Sequence, residues 1–190
     1  FVPTLGNNRV DQLLLGTDGM LAANTPASVA SAGGAGPRHI AIHPNGKLAF
    51  AINESNSTVT PYQLSADGKL TAGTTLASLP NDFNGNNSGA HIEVSPNGRF
   101  VYASNRGHDS IVVYATDPVS GALTFVQHAP TGATPRDFDV DPNGEVLIVA
   151  NQGDSDLYVY KIEDDGKLTR LGGAVAGPPS PSAVQIHYLK

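Results

Sequence analysis

Cysteine is absent from this 190-residue chain, and so is tryptophan. Without cysteine the protein cannot form a disulfide, use a thiolate nucleophile or build a zinc site on thiolate ligands. The redox compartment stays open, because cysteine usage is its main compositional marker. Any chemistry must therefore come from oxygen and nitrogen groups, including six histidines.

Basic residues are also scarce, with 11 Lys and Arg against 17 Asp and Glu and a net charge of −6. Nucleic acids and anionic membrane surfaces attract basic patches, so we expect neither as a partner. No apolar run approaches the roughly 18 residues of a membrane span, and no signal-peptide pattern is visible. Since the chain begins with Phe1, we interpret it as a processed or truncated piece or a secreted mature form. Few Lys and abundant Asn, Thr and Ala slightly favour export over the cytoplasm, although the sequence leaves the location open.

What the chain does contain is turn residues and an internal repeat. It has 21 Gly and 14 Pro, a composition suited to many short strands. Three similar stretches cover residues 37–71, 90–124 and 135–169, and their Pro-Asn-Gly turns begin at Pro44, Pro96 and Pro142. The period is therefore 52 and then 46 residues. Repeats of this length made of short strands are typical of β-propeller blades.

One repeat predicts four strands, which we name A to D. Residues 39–43 alternate like a strand, and Asn45-Gly46 would supply the two positive-φ positions of a tight hairpin. Residues 48–52 form an apolar strand of the kind buried on both faces. Residues 58–64 form the third strand, and Leu70 begins the fourth after an Asp-Gly turn.

The two ends of the chain complete the strand count. Residues 1–3, 9–14 and 18–21 fit strand B, strand C and the turn into strand D, and residues 183–188 alternate like one more strand A. We predict an all-β, single β-propeller region over residues 1–190, with four-stranded antiparallel blades, about four of them, and no helix. The predicted blades are 1–30 with a closing strand at 182–189, 37–79, 90–130 and 135–176.

Hairpin geometry predicts a polar rim where strand A begins and strand B ends. Arg38 should face Glu54, Ala90 should face Arg106, and Arg136 should lie near Gln152. The position at the end of strand B keeps its place in every repeat while its residue type changes from Glu54 to Arg106 to Gln152. Such a position suits a binding site. The alternative is a rim ion pair worth less than about 1 kcal/mol. The Asn that precedes each variable position is interpreted as a turn-capping group; these residues are Asn53, Asn105 and Asn151.

Other polar patterns favour structural interpretations. His108-Asp109-Ser110 holds the residue types of a catalytic triad, but adjacent residues cannot form one, so we expect a polar loop. Asp137, Asp139 and Asp141 are expected to be solvated strand carboxylates, because the calcium-loop spacing fails after them. His39 shares a strand face with His43 without a third ligand, so no metal is expected. The polar connection 79–89 is either a lid or a solvated insertion.

Several segments resemble the lactonase family of seven-bladed β-propellers, which includes 6-phosphogluconolactonases and 3-carboxy-cis,cis-muconate lactonizing enzymes. The segments are GPRHIAIHPNGKLAFAINE, SPNGRFVYASNRGHDSIVVY, TPRDFDVDPNGEVLIVANQGDSD, FVPTLGNNRV and PSAVQIHYL. The resemblance covers essentially the whole chain. It implies that this chain supplies the C-terminal four blades of a longer protein.

By this resemblance Glu54, Arg38 and Arg106 match the family's proposed active-site residues. We predict catalytic roles for these three and substrate binding by His39, His91, Asn105 and Arg136. The implied reaction is hydrolysis of an acidic sugar lactone without a cofactor or metal; the alternative is cycloisomerisation of a carboxymuconate.

The chain also departs from the family pattern at two points. The family's catalytic histidine would fall before Phe1, and Thr4 stands where the family has Asp. A further hypothesis is therefore a non-catalytic half-propeller, which associates with itself or with a companion chain that completes the ring.

Overall fold

The computed structural model describes residues 1–189 and is built almost entirely of antiparallel strands, which confirms the predicted all-β propeller. Blade 1 has three strands and blade 2 has five, while blades 3 and 4 have four each. Within residues 1–189 the one helical element is a three-residue 3₁₀ turn, Leu5–Asn7. No helix in this part of the chain has the length and apolar character needed to cross a membrane.

The strands follow the chain order of the repeats. Blade 1 comprises β1 (Val2–Thr4), β2 (Arg9–Leu15) and β3 (Leu21–Ala30). Blade 2 comprises β4 (Pro37–Ile42), β5 (Leu48–Asn53), β6 (Thr58–Leu64), β7 (Leu70–Ala72) and β8 (Leu76–Ala77), the last pairing with β6. Blade 3 comprises β9 (Ser88–Val94), β10 (Phe100–Arg106), β11 (Ser110–Thr116) and β12 (Leu123–Pro130). Blade 4 comprises β13 (Pro135–Val140), β14 (Val146–Asn151), β15 (Asp156–Ile162) and β16 (Leu168–Ala176).

The hydrophobic core lies between blades. Every residue of β5 is buried, as expected for an apolar strand covered on both faces. Three core clusters join blade 1 to 2, blade 2 to 3 and blade 3 to 4, and none in residues 1–189 joins blade 4 back to blade 1. The blades therefore form an open arc around a shared central channel, which the A strands β4, β9 and β13 line.

Tyrosine hydroxyls on the third strands tie neighbouring blades together. Tyr114 donates to the carbonyl of Ala77 in the preceding blade, and Tyr160 donates to that of Pro130. Both side chains are buried, and a buried hydroxyl needs such a partner. Burial raises the pKa of Tyr160 to about 12, so the hydroxyl stays a donor at neutral pH.

The predicted two-residue turn at Asn45-Gly46 is wrong in detail. Only Gly46 has positive φ, at 67°, and its amide donates to the carbonyl of His43 at 2.9 Å, while Asn45 stays out of the left-handed region. The reason is Pro44, whose ring holds a negative φ that suits the second position of a type I turn. The loop of the hairpin therefore has four residues. The register between strands A and B is shifted by one residue from the predicted register.

The predicted closing strand at 182–189 does not complete blade 1. It forms no ladder and runs beside β13, where Asp137 accepts a hydrogen bond from the Val184 amide at 3.0 Å and Asp139 accepts one from the Ile186 amide. Glu93 of β9 accepts from the amide of Val140 in the same way, so the segment takes the place of a next A strand. Blade 1 lies at the other end of the arc, out of reach.

The turns between strands C and D allow a matched test of blade packing. Gly166 has φ of 83°, and a Cβ there would lie 2.3 Å from Phe100 Cδ1, whereas Gly19, at φ of 79° in the equivalent turn of blade 1, has nothing within 4 Å. Gly19→Ala should cost about 1–2 kcal/mol of unfolding free energy from backbone strain. Gly166→Ala should cost a further ~1–3 kcal/mol from overpacking. Urea unfolding measures both, and equal costs would contradict this account of the blade 3–4 contact.

Candidate functional site

A β-bulge at the start of the A strand places an arginine on the rim in blades 2 and 4. In blade 2 the pairing passes from Pro37 with Asn53 to His39 with Ile52, which leaves Arg38 without a cross-strand partner. The same shift in blade 4 leaves Arg136 unpaired. Bulges re-aim side chains, and here the local chain geometry sends two guanidinium groups away from the ladder.

The structure brings Arg38, Glu54 and Arg106 together. Glu54 Oε2 lies 3.2 Å from Arg38 Nε, and Glu54 Oε1 lies 3.0 Å from Arg106 Nη2. Their side chains are 17%, 27% and 15% exposed, so the cluster is only partly shielded. One carboxylate from blade 2 thus bridges arginines from blades 2 and 3. The alternative interpretation, a rim ion pair, would have joined Glu54 to a single arginine.

Both arginines also donate hydrogen bonds to backbone carbonyls of β9. Arg38 Nη1 donates to the carbonyl of Ala90, and Arg106 Nη2 donates to that of Gly89 at 3.2 Å. Burial, followed by the positive charge of Arg106, lowers the pKa of Arg38 from its ordinary value. The Nε of Arg106 is buried and has no hydrogen-bond partner within residues 1–189, which leaves one donor unused.

Arg136 lies next to Gln152, as predicted, with 3.5 Å between Nη1 and Oε1. The positive charge of Arg136 contributes to lowering the pKa of Arg38 and the pKa of His39. Three guanidinium groups lie here against the carboxylates of Glu54 and Asp137, both of which act on Arg38, so arginines outnumber carboxylates at this rim although the whole chain is negative. A net positive mouth favours an anionic ligand.

The histidines His39 and His91, on the neighbouring A strands β4 and β9, contact each other. Their Nδ1 atoms are 2.7 Å apart, and the rings pack edge to face. His91 also lies 3.1 Å (Nε2) from Glu93 Oε1 and 3.3 Å (Nδ1) from Asp137 Oδ1. The two histidines hold the same place in their repeats, five residues before the turn proline.

Burial is the largest cause of the electrostatic shifts in this cluster. Burial, and then the charge of Arg38, lowers the pKa of His39 to about 4, so the ring is neutral at physiological pH. Burial also raises the pKa of Glu93, against the opposing effect of its hydrogen bond with His91.

The carboxylates on β13 and directly after it are not the solvated groups that the sequence predicted. Asp137 and Asp139 bind backbone amides of the segment 183–188, and Asp141 is fully buried, where it accepts bonds from the Val146 amide at 2.6 Å and the Tyr188 hydroxyl at 2.7 Å. A cavity of about 450 Å³ is lined by His91, Glu93, Asp137, Asp139 and Gln185, among others. Among residues 1–189 no three His, Asp or Glu side chains are grouped so that they could hold a metal ion.

Asn105 does not join this site. It is fully buried; its Oδ1 accepts from the Ser78 hydroxyl at 2.7 Å, and its Nδ2 donates to the Ser78 carbonyl at 2.9 Å. The predicted substrate-binding role is corrected to anchoring the connection between blades 2 and 3. Asn53 and Asn151 bond to side chains at the start of strand C, Thr58 and Asp156, rather than capping backbone turns.

The connection 79–87 is anchored rather than freely solvated. Asn87 accepts from the His108 amide at 3.0 Å, and Phe83 packs edge to face on the His108 ring. His108 Nδ1 lies 2.7 Å from Ser110 Oγ, but Asp109 Oδ1 binds the amides of Gly107 and Thr134 instead of orienting the histidine. The triad types here therefore belong to loop structure, as the sequence indicated.

Comparison with known proteins agrees with this architecture. The family model described as "Lactonase, 7-bladed beta-propeller" matches residues 1–186. The 6-phosphogluconolactonase of Serratia proteamaculans is 38% identical over 172 residues, which cover 90% of this chain and 52% of that protein. The Yersinia pestis 6-phosphogluconolactonase is 36% identical over 172 residues, with the same two coverages.

Solved structures show the same relation. The periplasmic gluconolactonase of Pseudomonas aeruginosa superposes with a TM-score of 0.87 at 31% identity, covering 94% of this chain and 51% of that one. A putative 6-phosphogluconolactonase from Bacteroides fragilis gives 0.86 at 30% identity, with the same coverages. The chain thus spans about half the length of these relatives. With the repeats, the radial blades and the family match together, the chain belongs to the lactonase family of seven-bladed β-propellers.

Proposed function

We propose that the complete protein that contains this chain hydrolyses the lactone of an acidic sugar, such as a phosphorylated gluconolactone, without a cofactor. One observation carries the proposal: Arg38 and Arg106, from two blades, converge on Glu54 at a positive channel mouth. The names of the related proteins support it, since they are 6-phosphogluconolactonases and a gluconolactonase.

The two guanidinium groups would hold the anionic group of the substrate. Arg forks match phosphate and carboxylate oxygens in bidentate geometry. Both side chains are partly exposed, at 17% for Arg38 and 15% for Arg106, so an anion could reach them. When an anion takes over these donors, Glu54 loses part of its ion pairing and becomes free to accept a proton.

Glu54 would then act as the general base. It takes one proton from water as the water oxygen bonds to the lactone carbonyl carbon, and the carbonyl oxygen becomes an oxyanion. Collapse of this intermediate breaks the bond to the ring oxygen, which takes the proton back from Glu54 and leaves as a hydroxyl. The second water proton remains on the new carboxyl group, which ionises in solution.

The cavity beside His91 favours a hydroxylated substrate over a carboxymuconate. Glu93, Asp137 and Asp139 line it. Carboxylates accept hydrogen bonds from sugar hydroxyls but repel further carboxylates. A sugar lactone with one anionic group matches this division, whereas a substrate with several carboxylates does not.

A second candidate function is assembly with another polypeptide that completes the ring. The open arc favours it, because within residues 1–189 no core cluster joins blade 4 to blade 1. The companion would be a second copy or a separate chain. Light scattering on the purified 190-residue chain distinguishes these possibilities: a dimer supports self-association, and a pure monomer excludes it. Export of the protein stays a prediction.

Replacing Glu54 tests the hydrolytic proposal. Glu54→Gln keeps the side-chain shape but removes the base, so kcat for 6-phosphogluconolactone should fall by about 100- to 10,000-fold, the usual contribution of a general base. The assay follows lactone opening with the complete protein. Glu163→Gln, at an exposed ion pair with Lys161, is the matched control and should leave turnover unchanged. Unchanged turnover in Glu54→Gln would remove Glu54 from the mechanism.

A further inference from the structure

We infer that Gly89 is a positioning residue that fixes Arg106 against Glu54, at a point where two blades pack so closely that no side chain fits. The inference rests on the proposed lactone hydrolysis for the reaction that Arg106 and Glu54 serve. The packing and the hydrogen bonds of Gly89 hold whatever that reaction is.

The backbone of Gly89 binds both functional groups. Gly89 is a buried residue of β9, the A strand of blade 3. Its amide donates to the carbonyl of Glu54 at 3.1 Å. Its carbonyl accepts from Arg106 Nη2 at 3.2 Å, and the same Nη2 atom lies 3.0 Å from Glu54 Oε1. One residue thus binds the main chain of the proposed base from blade 2 and the guanidinium group from blade 3.

The next residue of β9 extends this arrangement to the second arginine. The carbonyl of Ala90 accepts a hydrogen bond from Arg38 Nη1. Ala90 holds the place in blade 3 that Arg38 holds in blade 2 and Arg136 holds in blade 4, six residues before the turn proline. A shift of β9 at residue 89 would therefore move the carbonyl acceptors of both Arg38 and Arg106.

Space, rather than backbone conformation, explains why glycine stands at position 89. Gly89 does not have a positive φ. A Cβ there would lie 2.7 Å from the carbonyl oxygen of Asn53 and 2.7 Å from Cγ1 of Ile52. Both distances are well inside the ~3.5–4.0 Å of ordinary contact between carbon atoms. Glycine within a strand often marks such a close approach of another backbone.

Strand β5 cannot give way to an added side chain. All its residues are buried, and it pairs with β4 on one side and β6 on the other. Asn53 itself pairs with both Pro37 and Thr58. An added side chain would therefore push β9 away from β5, lengthen the hydrogen bond to the Glu54 carbonyl and withdraw the carbonyl that binds Arg106. Gly89 consequently sets the separation between the proposed base and this guanidinium group.

A double-mutant cycle on the complete protein tests the positioning role. Gly89→Ala should lower kcat/KM for 6-phosphogluconolactone by about 100-fold, the effect that a displacement of about 1 Å can have. In an Arg106→Gln background the same change should lower kcat/KM by about tenfold or less, because the side chain that it misplaces is already gone. A loss of about 100-fold in both backgrounds would overturn the positioning role, and so would an unchanged kcat/KM in Gly89→Ala.

Gly132→Ala is the matched control for the steric cost. Gly132 also has no positive φ, and a Cβ there would lie 2.7 Å from Asn151 Nδ2, in the connection between blades 3 and 4. Both variants should unfold at a lower urea concentration than the wild-type protein, because both overpack a blade contact. Gly132→Ala should nevertheless change kcat/KM by less than about threefold. A fall as large as that of Gly89→Ala would mean that general destabilisation explains the loss, and it would overturn the inference.

The ¹⁵N NMR spectrum of the guanidinium groups tests the arrangement without any substrate. A guanidinium group that binds both a carboxylate and a carbonyl rotates slowly, so the two Nη atoms of Arg106 should give separate signals in the wild-type protein, and Gly89→Ala should merge them. Merged signals in the wild-type protein would overturn the inference even if the variant fails to fold, and unchanged signals in a folded Gly89→Ala variant would do the same. Absence of lactone hydrolysis by the wild-type protein would instead overturn the proposed function, and the separate signals would still support the assigned contacts of Gly89.

Discussion

Replacing Arg106 with Gln is expected to weaken binding of a phosphorylated sugar lactone by about 100-fold in KM. Truncating one partner of a hydrogen-bonded charge pair costs about 2–5 kcal/mol, and each 1.4 kcal/mol is about tenfold in affinity. Arg106 is only 15% exposed and is ion-paired with Glu54, so solvent screens its charge-assisted hydrogen bonds less than at an exposed site. Steady-state kinetics with 6-phosphogluconolactone and with unphosphorylated gluconolactone measure the effect.

The comparison of the two substrates identifies the role of this arginine. KM for the unphosphorylated lactone should change by less than about threefold, because no phosphate contact is lost. Arg170→Gln, at an arginine stacked on Tyr158 in blade 4, is the control and should leave both substrates unaffected. An equal fall in kcat for both lactones would show that Arg106 stabilises the oxyanion rather than the phosphate.

Replacing Phe138 with Ala should have the largest effect on stability. Phe138 is fully buried in the cluster between blades 3 and 4, with Phe100, Tyr102 and Val149. Removing a buried aromatic ring costs about 3–5 kcal/mol, because transfer energy is lost and a cavity remains. That is a large part of the ~5–15 kcal/mol that keeps an ordinary domain folded. Urea unfolding of the complete protein should show a clearly lower midpoint.

The same substitution should also disturb the channel. The Phe138 ring packs edge to face on His91 at 4.9 Å, so the core supports the histidine pair directly. Phe125→Ala, at a ring that is 54% exposed, is the matched control and should cost less than about 1 kcal/mol. Equal losses of unfolding free energy in the two variants would contradict the conclusion that the hydrophobic core lies between the blades.

Local geometry decides features within one hairpin, so the side-chain contacts at the hairpin ends of blades 2 and 4 were predicted. The facing of Arg38 and Glu54 follows from a turn that lies between them in the chain, and the same holds for Arg136 and Gln152.

The predicted facing of Ala90 and Arg106 is wrong, because a bulge pairs Arg106 with Ser88. The error at Asn45-Gly46 is also local, since Pro44 imposes a different turn and shifts the register by one residue.

Contacts between blades were not predictable in this way. The carboxylates of Asp137 and Asp139 look solvated when β13 is considered alone, and only the neighbouring segment 183–188 supplies the amides that they bind. Asn105 looks like a rim residue by its position in the repeat, yet the connection after blade 2 covers it through Ser78.

The sequence alone determined the strands, their grouping into blades and the rim that carries Arg38, Glu54 and Arg106, because repeat spacing and hairpin pairing act over short chain distances. Only the tertiary structure decided which side chains meet in the channel, such as His39 with His91, 52 residues apart. Such pairs depend on how blades pack and where bulges rotate a strand, and neither follows from the pairing of neighbouring strands.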